Sequence, residues 1–357
     1  MKSKVYFIPV KESENIDIVA GKLKYLLEQS KILQFVPAKA KVAVKMHFGE
    51  EGNTGFVKPR YLGVICREIA RQGATPFLAD TNTLYRGQRT NSRDHLKLAA
   101  KHGFSREATG AEIVVPDDSR KENVIEIEIR RKFIKQASLA RFFVESDALV
   151  AVTHFKGHIM TGFGGSLKNF GMGCATRVGK LMQHSDVSPV VYSEKCVGCG
   201  ACEKVCPVKA ITIKNKKSVI EREKCIGCAS CIAACPYSAI DVDWDSGEST
   251  IQERMIEYAF AVLQGKKEKT ACFNFCLKIT KECDCLAKDD PRVAPDVGIL
   301  ASLDPVSIDQ ASFDLINQAC CRDIFKESHP RREGTRQLEY AQELGIGSRD
   351  YELITLA

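Results

Sequence analysis

The sequence predicts an α/β fold, in which a mainly parallel sheet with flanking helices is interrupted by a small cysteine-rich unit. Short β-branched runs alternate with amphipathic helical stretches through the first half of the chain, a rhythm typical of parallel sheets. The same rhythm resumes after the cysteine-rich unit. A hydrophobic content of 44% over 357 residues is enough for a large packed core.

The elements of the α/β part follow from local patterns. Strands are predicted at residues 5–10, 41–46, 75–80, 113–116, 124–129, 148–153, 270–279 and 297–301. Helices are predicted at residues 16–29, 59–72, 92–102, from about 251 to Gly265, and from Pro305 to about 318. Pro59 and Pro305 suit a first helical turn, and Thr250 with Glu253 has the pattern of a capping box.

Composition and charge exclude several classes of protein. The net charge of +7 comes from dispersed lysines with no basic patch interleaved with aromatic residues, which excludes a nucleic-acid partner. No signal peptide and no window of eighteen apolar residues is present, so we expect a cytoplasmic protein without a membrane span. Sixteen cysteines in such a chain indicate metal binding or catalysis by reduced thiols.

Two cysteine motifs of identical spacing carry the strongest signal. The first is Cys196, Cys199, Cys202 and Cys206 followed by proline, and the second is Cys225, Cys228, Cys231 and Cys235 followed by proline. This spacing is typical of two 4Fe-4S clusters in which the fourth cysteine of each run binds the other cluster. Cys196, Cys199, Cys202 and Cys235 would then hold one cluster, and Cys225, Cys228, Cys231 and Cys206 the other. Two zinc sites are the alternative, although zinc motifs usually separate two close pairs.

The surroundings of the motifs agree with a bacterial ferredoxin-like module. A hairpin is predicted from residues 210–214 and 218–222, and a closing strand at 240–244. Gly198, Gly200 and Gly227 relieve crowding where the backbone turns toward a cluster. We therefore predict a ferredoxin-like domain at residues 189–246, inserted into an α/β domain formed by residues 1–188 and 247–357.

Eight cysteines lie outside the two motifs, and seven of them fall into three groups. Cys283 and Cys285, just after a predicted strand, could chelate a metal or attack a substrate, or could be two shielded thiols. Cys272 and Cys276 lie on one face of the strand itself, which favours a place in the core. Cys66, Cys320 and Cys321 lie on helical patterns and are interpreted as structural.

A second group of candidates surrounds His154, Lys156 and His158, which follow a predicted strand and precede a glycine-rich segment. The two histidines could be metal ligands, acids or anion contacts. The alternative is a surface loop in which one histidine has its hydrogen bonds satisfied. No glutamate follows His154 as a zinc protease helix requires. Residues 173–180 have the wrong spacing for a phosphate loop, and no dinucleotide-binding glycine motif follows a predicted strand.

These segments together resemble a known family. The resemblance rests on residues 47–53, 80–95, 154–169, 179–184, the two cysteine motifs, 283–285, 298–302 and 304–309. The chain resembles the members of domain of unknown function 362 that contain a ferredoxin module. The resemblance implies an α/β domain interrupted by a two-cluster ferredoxin, and it implies no established reaction. The extra thiols Cys272, Cys276, Cys320 and Cys321 lie outside its pattern.

The leading functional hypothesis is a reductase in which the clusters pass electrons to a substrate, cofactor or third metal site in the α/β domain. The candidate residues follow strands or lie in glycine-rich loops, where one crevice could collect them. They are His47, Asp80, Tyr85, His154, Lys156, His158 and Lys168, with Cys283 and Cys285 as a third metal site. Arg86, Lys156, Lys168 and Lys180 favour an anionic small molecule. A redox partner protein is expected, and the alternative is an electron-transfer or docking partner of another oxidoreductase.

Overall fold

The computed structural model describes residues 2–85, 87–184, 188–225, 227–242 and 250–357. Within these ranges the strands, in chain order, are β1 (Ser3–Pro9), β2 (Lys41–Lys45), β3 (Thr75–Ala79), β4 (Glu112–Val114), β5 (Val124–Glu128), β6 (Gln136–Ala140), β7 (Ala148–His154), β8 (Lys156–His158), β9 (Gly162–Gly164), β10 (Val190–Val191), β11 (Ile211–Lys214), β12 (Lys217–Ile220), β13 (Ile240–Asp241), β14 (Thr270–Cys276), β15 (Gly298–Ser302) and β16 (Tyr351–Thr355).

Helices connect most of these strands. They are α1 (Ile16–Ser30), α2 (Pro59–Arg71), α3 (Ser92–Lys101), α4 (Arg106–Thr109), α5 (Arg141–Glu145), α6 (Ser166–Gly171), α7 (Arg177–His184), α8 (Ala201–Lys204), α9 (Ser230–Ala234), α10 (Ile251–Leu263), α11 (Pro305–Cys320), α12 (Ile324–Ser328) and α13 (Arg336–Glu343). Pro305 opens α11, and the Asp304 carboxylate caps it by accepting from the backbone N–H groups of Val306 and Ser307. In the described chain, no helix is long and apolar enough to cross a membrane.

The central sheet has the strand order β16-β1-β15-β14-β7-β2-β3-β4 within the described residues. The neighbours β14, β7, β2, β3 and β4 run parallel to one another, and β1 runs parallel to β16. Strand β15 is antiparallel to β1 and to β14. The fold is therefore α/β with a mainly parallel sheet and flanking helices, as the sequence predicts.

Helices cover both faces of the sheet because its central strands are apolar on both sides. In β2, Val42 and Val44 belong to one packed cluster and Ala43 to another. The first cluster includes Leu23 of α1 and Leu62 of α2, whereas the second includes apolar side chains of α6, α10, α11 and α13. The chain thus forms three layers, with helices on both faces of the sheet. The polar groups at the strand ends are the part of the sheet that is available to bind a ligand.

The cysteine-rich segment has paired elements of its own. Strands β11 and β12 form an antiparallel hairpin, and β10 pairs with β13. Helices α8 and α9 start within the two cysteine motifs. The apolar side chains of this segment form a separate cluster, which also takes in Leu84 and Leu181 from the α/β part. The predicted closing strand is present at its start, and Trp244 lies outside the described residues.

The structure differs from the sequence-based expectations at four elements. The Thr250 side chain accepts no hydrogen bond from the backbone of α10, so the predicted capping box is wrong. Strand β5 pairs with β6, outside the central sheet. The glycine-rich segment contains the hairpin of β8 and β9 before α6, and β16 adds a strand beside β1 that the sequence pattern did not indicate.

Candidate functional site

A cavity of about 430 Å³ lies at the carboxyl ends of β7, β2 and β3, three adjacent parallel strands. Lys45 ends β2, Asp80 follows β3, and His154 ends β7. Loops beyond parallel strand ends are where open α/β sheets bind ligands. The cavity therefore occupies the position at which this fold offers a site.

The structure brings most of the sequence candidates together around this cavity, while Cys283 is not part of its lining and Arg86 lies outside the described residues. Its lining includes His47, Asp80, Tyr85, His154, Lys156, His158, Lys168 and Cys285, together with Lys45, Arg89, Lys180, His184 and Asp284. His154, Lys156 and His158 are buried, so they do not form the surface loop considered as an alternative. Their chemical roles remain predictions.

Asp284, between the two cysteines of its loop, joins that loop to β7 and β8. His154 Nδ1 lies 2.9 Å from the Oδ1 atom of Asp284, and Lys156 Nζ lies 3.2 Å from Oδ2. Burial by itself raises the pKa of Asp284, but the charges of His154 and Lys156 hold this pKa well below its usual range. Asp284 is therefore an anion that fixes two candidate residues.

Lys45 forms a second buried ion pair on the cavity wall. Its Nζ atom lies 3.0 Å from Asp80 Oδ1 and 2.9 Å from Asn169 Oδ1. The side chain is 1% exposed, so the charge is stabilised almost entirely by these partners. Burial raises the pKa of Asp80, yet the neighbouring cations, with Lys45 the strongest, bring it below its usual range. Asp80 Oδ2 makes no hydrogen bond within the described part of the chain.

Arg89, which the sequence reasoning missed, organises the opposite wall. Its guanidinium donates to Glu50 Oε2 at 3.0 Å and to the Tyr85 hydroxyl at 3.1 Å, and it lies 2.8 Å from His47 Nε2. Burial, with the Arg89 charge, holds the pKa of His47 well below its ordinary value. The lowered pKa favours the neutral ring over a cation.

Two lysines give the cavity an excess of positive charge. Lys45, Arg89 and Lys156 each have a carboxylate within 3.2 Å. Lys168 and Lys180 form no ion pair among the residues that the structure describes. Burial lowers the pKa of both to about 7, and neighbouring cations contribute to the shift. An anion bound beside either ammonium group would raise the pKa of that lysine.

Cys283 and Cys285 lie close to His158, and Cys285 and His158 line the cavity. One nitrogen of His158 and the two sulfur atoms fall within 4.8 Å of one another. The two sulfurs are joined in a disulfide. With the thiols reduced, the three side chains would be possible metal ligands.

The two cysteine motifs form two separate sets. Cys196, Cys199, Cys202 and Cys235 line one small cavity, and Cys206, Cys225, Cys228 and Cys231 line another. In each set the fourth cysteine of one motif lies beside the first three of the other. This exchange is the arrangement expected for two 4Fe-4S clusters, and the clusters themselves remain a proposal.

Backbone N–H groups already point at three of these sulfurs. Ser218 N donates to Cys196 Sγ at 3.3 Å, Ala210 N to Cys206 Sγ at 3.2 Å, and Ala239 N to Cys235 Sγ at 3.2 Å. Such bonds stabilise negative charge on thiolate ligands. The donor set and its hydrogen bonds therefore fit an anionic metal centre in both cavities.

The remaining cysteines divide by burial. Cys66, Cys272 and Cys276 are fully buried, and burial raises the pKa of each thiol, which makes them unreactive. Cys320 ends α11, and the exposed Cys321 caps it in the left-handed conformation. Cys66, Cys272 and Cys276 therefore lie in the packed core, whereas Cys321 does not.

Comparisons with known proteins identify the family of the chain. The chain belongs to the family described as domain of unknown function (DUF362), whose profile matches residues 42–314. It is similar to the lactate racemase apoprotein from Thermoanaerobacterium thermosaccharolyticum, with 15% identity, a TM-score of 0.39, and coverage of 76% of this chain and 50% of that one. It is also similar to a protein from Thermotoga maritima, with 12% identity, a TM-score of 0.40, and coverage of 91% and 59%. The chain thus spans between half and three fifths of these two structures. No curated protein matches it.

Proposed function

We propose that this chain is an iron-sulfur reductase, in which two 4Fe-4S clusters serve a site for an anionic small molecule in the α/β cavity. The observation that supports it most is the division of eight cysteines into two sets, each lining its own cavity. Four-cysteine ligation in this exchanged pattern is characteristic of two-cluster ferredoxins. A redox partner protein would supply the electrons.

The cysteine module provides the cluster ligands. Cys196, Cys199, Cys202 and Cys235 would bind one cluster, and Cys206, Cys225, Cys228 and Cys231 the other. The bound clusters would supply one-electron transfer at low potential. Gly198 keeps a backbone turn close to one set, because a Cβ atom there would lie 2.5 Å from the carbonyl oxygen of Lys216.

Packing between the module and the cavity supports a coupled function. Leu84 lines the cavity and also belongs to the apolar cluster that contains Cys196, Cys202, Cys231 and Cys235. The next residue, Tyr85, donates its hydroxyl hydrogen to the carbonyl oxygen of Cys285 at 3.2 Å. Two consecutive residues thus connect the cysteine module with the cavity loop.

The charge balance of the cavity supports an anionic substrate. Lys45, Arg89 and Lys156 are neutralised by carboxylates, whereas Lys168 and Lys180 have none among the described residues. A buried ammonium group without a carboxylate partner is unfavourable, and the charges of Lys45 and Arg89 further oppose the protonation of both lysines. A carboxylate or another anion bound in the cavity would offset both costs.

The test is metal analysis of the anaerobically purified protein together with paramagnetic resonance after reduction. We expect about eight irons per chain and the signals of two interacting reduced clusters. A Cys199→Ser variant is expected to lose iron from one set, and Cys320→Ser, outside both sets, should retain all of it. Zinc in place of iron, or equal iron content in all three proteins, would contradict the proposal.

A non-enzymatic electron carrier is the competing function. This function also predicts iron and paramagnetic resonance signals. Anion binding in the cavity is therefore the measurement that distinguishes the two functions. Binding of a small anion that is weakened by Lys168→Met favours the reductase, whereas absence of any anion binding favours the carrier.

A further inference from the structure

The loop of Cys283 and Cys285 is held rigidly against the cavity. Asp284, between them, is fixed by His154 and Lys156, and its carbonyl oxygen accepts from the backbone N–H of Glu50 at 2.9 Å. The Tyr85 hydroxyl holds the carbonyl oxygen of Cys285. Cys285 lines the cavity, whereas Cys283 is 5% exposed. The pair is thus anchored on both sides, with one sulfur-bearing residue facing the substrate space.

A metal centre at this loop would use His158, but the surroundings of His158 oppose it. Nδ1 of His158 accepts from the backbone N–H groups of Met160 at 3.2 Å and Thr161 at 3.3 Å. These donors keep Nδ1 without a proton, so the neutral ring carries its proton on Nε2. Nδ1 is occupied by these donors and Nε2 by its proton, so neither offers a lone pair to a metal without a rearrangement.

The remaining donors are also committed. Both carboxylate oxygens of Asp284 face His154 and Lys156, so Asp284 does not extend the group. Among the described residues, this cluster has His158, Cys283 and Cys285 as its possible ligands and no fourth of the same kind within reach. A structural or catalytic zinc site requires three or four free donors.

We propose that Cys283 and Cys285 are a redox-active disulfide that stores two electrons at the edge of the cavity. This inference rests on the proposed function, because the reductant is a pair of one-electron donors, which the two cluster sets would supply. Reduction breaks the sulfur–sulfur bond and consumes two electrons and two protons, giving two thiols. Oxidation by a two-electron acceptor in the cavity returns both electrons and both protons.

A disulfide would connect one-electron donors with a two-electron reaction. Each 4Fe-4S centre exchanges one electron, whereas most reductions of small organic anions need two. A disulfide can accept two single electrons from the clusters and pass both to one substrate molecule. In a compartment that keeps cluster ligands reduced, a disulfide is also more often catalytic than structural.

The test counts thiols and electrons in the anaerobic holoprotein. After mild oxidation with diamide and removal of excess reagent, the protein is alkylated with iodoacetamide before or after treatment with titanium(III) citrate. Cleavage after Lys281 and Lys288 isolates the two cysteines in one peptide. We expect no alkyl group on this peptide before reduction and two afterwards. A reductive titration should consume two more electrons per chain than that of a Cys283→Ser/Cys285→Ser variant with the same iron content.

The control is Cys320→Ser/Cys321→Ser, which changes a vicinal pair at the end of α11 and should behave as the unchanged protein. Iron-loaded protein whose loop peptide is alkylated twice before reduction, or not at all after it, would overturn the inference and leave the proposed function standing. One non-iron metal per chain that the Cys283→Ser/Cys285→Ser variant lacks would overturn it as well. Absence of iron would instead remove the proposed function.

Discussion

Nδ1 of His154 lies 2.9 Å from the carboxylate of Asp284, which connects the end of β7 with the loop between Cys283 and Cys285. Lys156 approaches the other oxygen of the same carboxylate at 3.2 Å. The Asp284 side chain is 1% exposed, so water contributes little to its stability. One buried anion therefore holds a histidine, a lysine and the cysteine loop in a single arrangement.

Replacing Asp284 by asparagine should destabilise the fold by about 3 kcal/mol, because Lys156 then keeps a buried charge without its carboxylate. The free energy of unfolding in urea measures this loss. Asp289→Asn is the matched control, since Asp289 pairs with Lys278 at 2.9 Å while 42% of its side chain is exposed. That change should cost less than about 1 kcal/mol. Equal losses of unfolding free energy in the two variants would show that the buried ion pair stabilises the fold no more than the exposed one.

Gly55 packs directly against this pair. A Cβ atom at Gly55 would lie 2.7 Å from Asp284 Oδ1 and 3.1 Å from His154 Cε1. Gly55→Ala should therefore displace the carboxylate and lower the free energy of unfolding by about 1–3 kcal/mol. Thermal unfolding followed by circular dichroism would measure it.

The control for this substitution is Gly21→Ala. Gly21 lies within α1, and a Cβ atom there would meet nothing within 4 Å. Alanine in a helix interior is favoured over glycine by up to about 1 kcal/mol, so this variant should be slightly more stable. A Gly55→Ala protein as stable as Gly21→Ala would contradict the contact described above.

Much of the site follows from the strand ends. His47, Asp80 and His154 each lie at or after the end of a parallel strand, and adjacent parallel strands deliver such residues to one edge. Lys45 also carries a sequence signal for the site, because a lysine at the end of an otherwise apolar strand needs a buried partner. Arg89 offered none, because a single arginine in a polar loop has no periodicity, and its partner Glu50 lies 39 positions away.

The misjudged elements have local causes. Thr250 and Glu253 have the residue types of a capping box, but the Thr250 side chain accepts from Arg254 Nε instead of from the helix backbone. Strand β16 pairs with β1 across almost the whole length of the chain, and its pairing depends on the sheet edge that the rest of the fold provides. Sequence periodicity does not reveal such a distant partner.

A third prediction separates two glycines of the first cysteine motif. Gly198 has φ +70°, and a Cβ atom there would lie 2.5 Å from the carbonyl oxygen of Lys216. Gly198→Ala should therefore distort the loop that carries Cys196 and Cys199, and lower the iron content by about half. Iron analysis of anaerobically purified protein is the measurement.

Gly200→Ala is its matched control. Gly200 also has a positive φ of +77°, but the nearest atom to an added Cβ is 3.9 Å away. In the second motif, Ala229 occupies the equivalent position with φ +57°. Alanine should therefore be tolerated at position 200 with nearly full iron content. Loss of iron in both variants would show that the left-handed conformation, not the contact with Lys216, sets the requirement.

The fourth prediction concerns the charge of Lys168. Because burial and nearby cations lower its pKa to about 7, Lys168 gains its proton as the pH falls from 8 to 6. Affinity for sulfate, whose own charge is constant over this range, should therefore be higher at pH 6 than at pH 8. Lys168→Met should weaken binding at pH 6 by about tenfold. Isothermal titration calorimetry would measure both effects.

Lys24→Met, a change in an exposed lysine of α1, is the control and should leave sulfate binding unchanged. Stability gives an independent check of the same pKa. Lys168 has a folded-state pKa below its unfolded value, so its protonated form opposes folding most strongly below pH 7, and the penalty declines as the pH rises toward 10.5. Lys168→Met should thus raise the free energy of unfolding more at pH 6 than at pH 9. A gain that is the same at both pH values would mean that Lys168 titrates normally, and the predicted pH dependence of sulfate binding would then have to be abandoned.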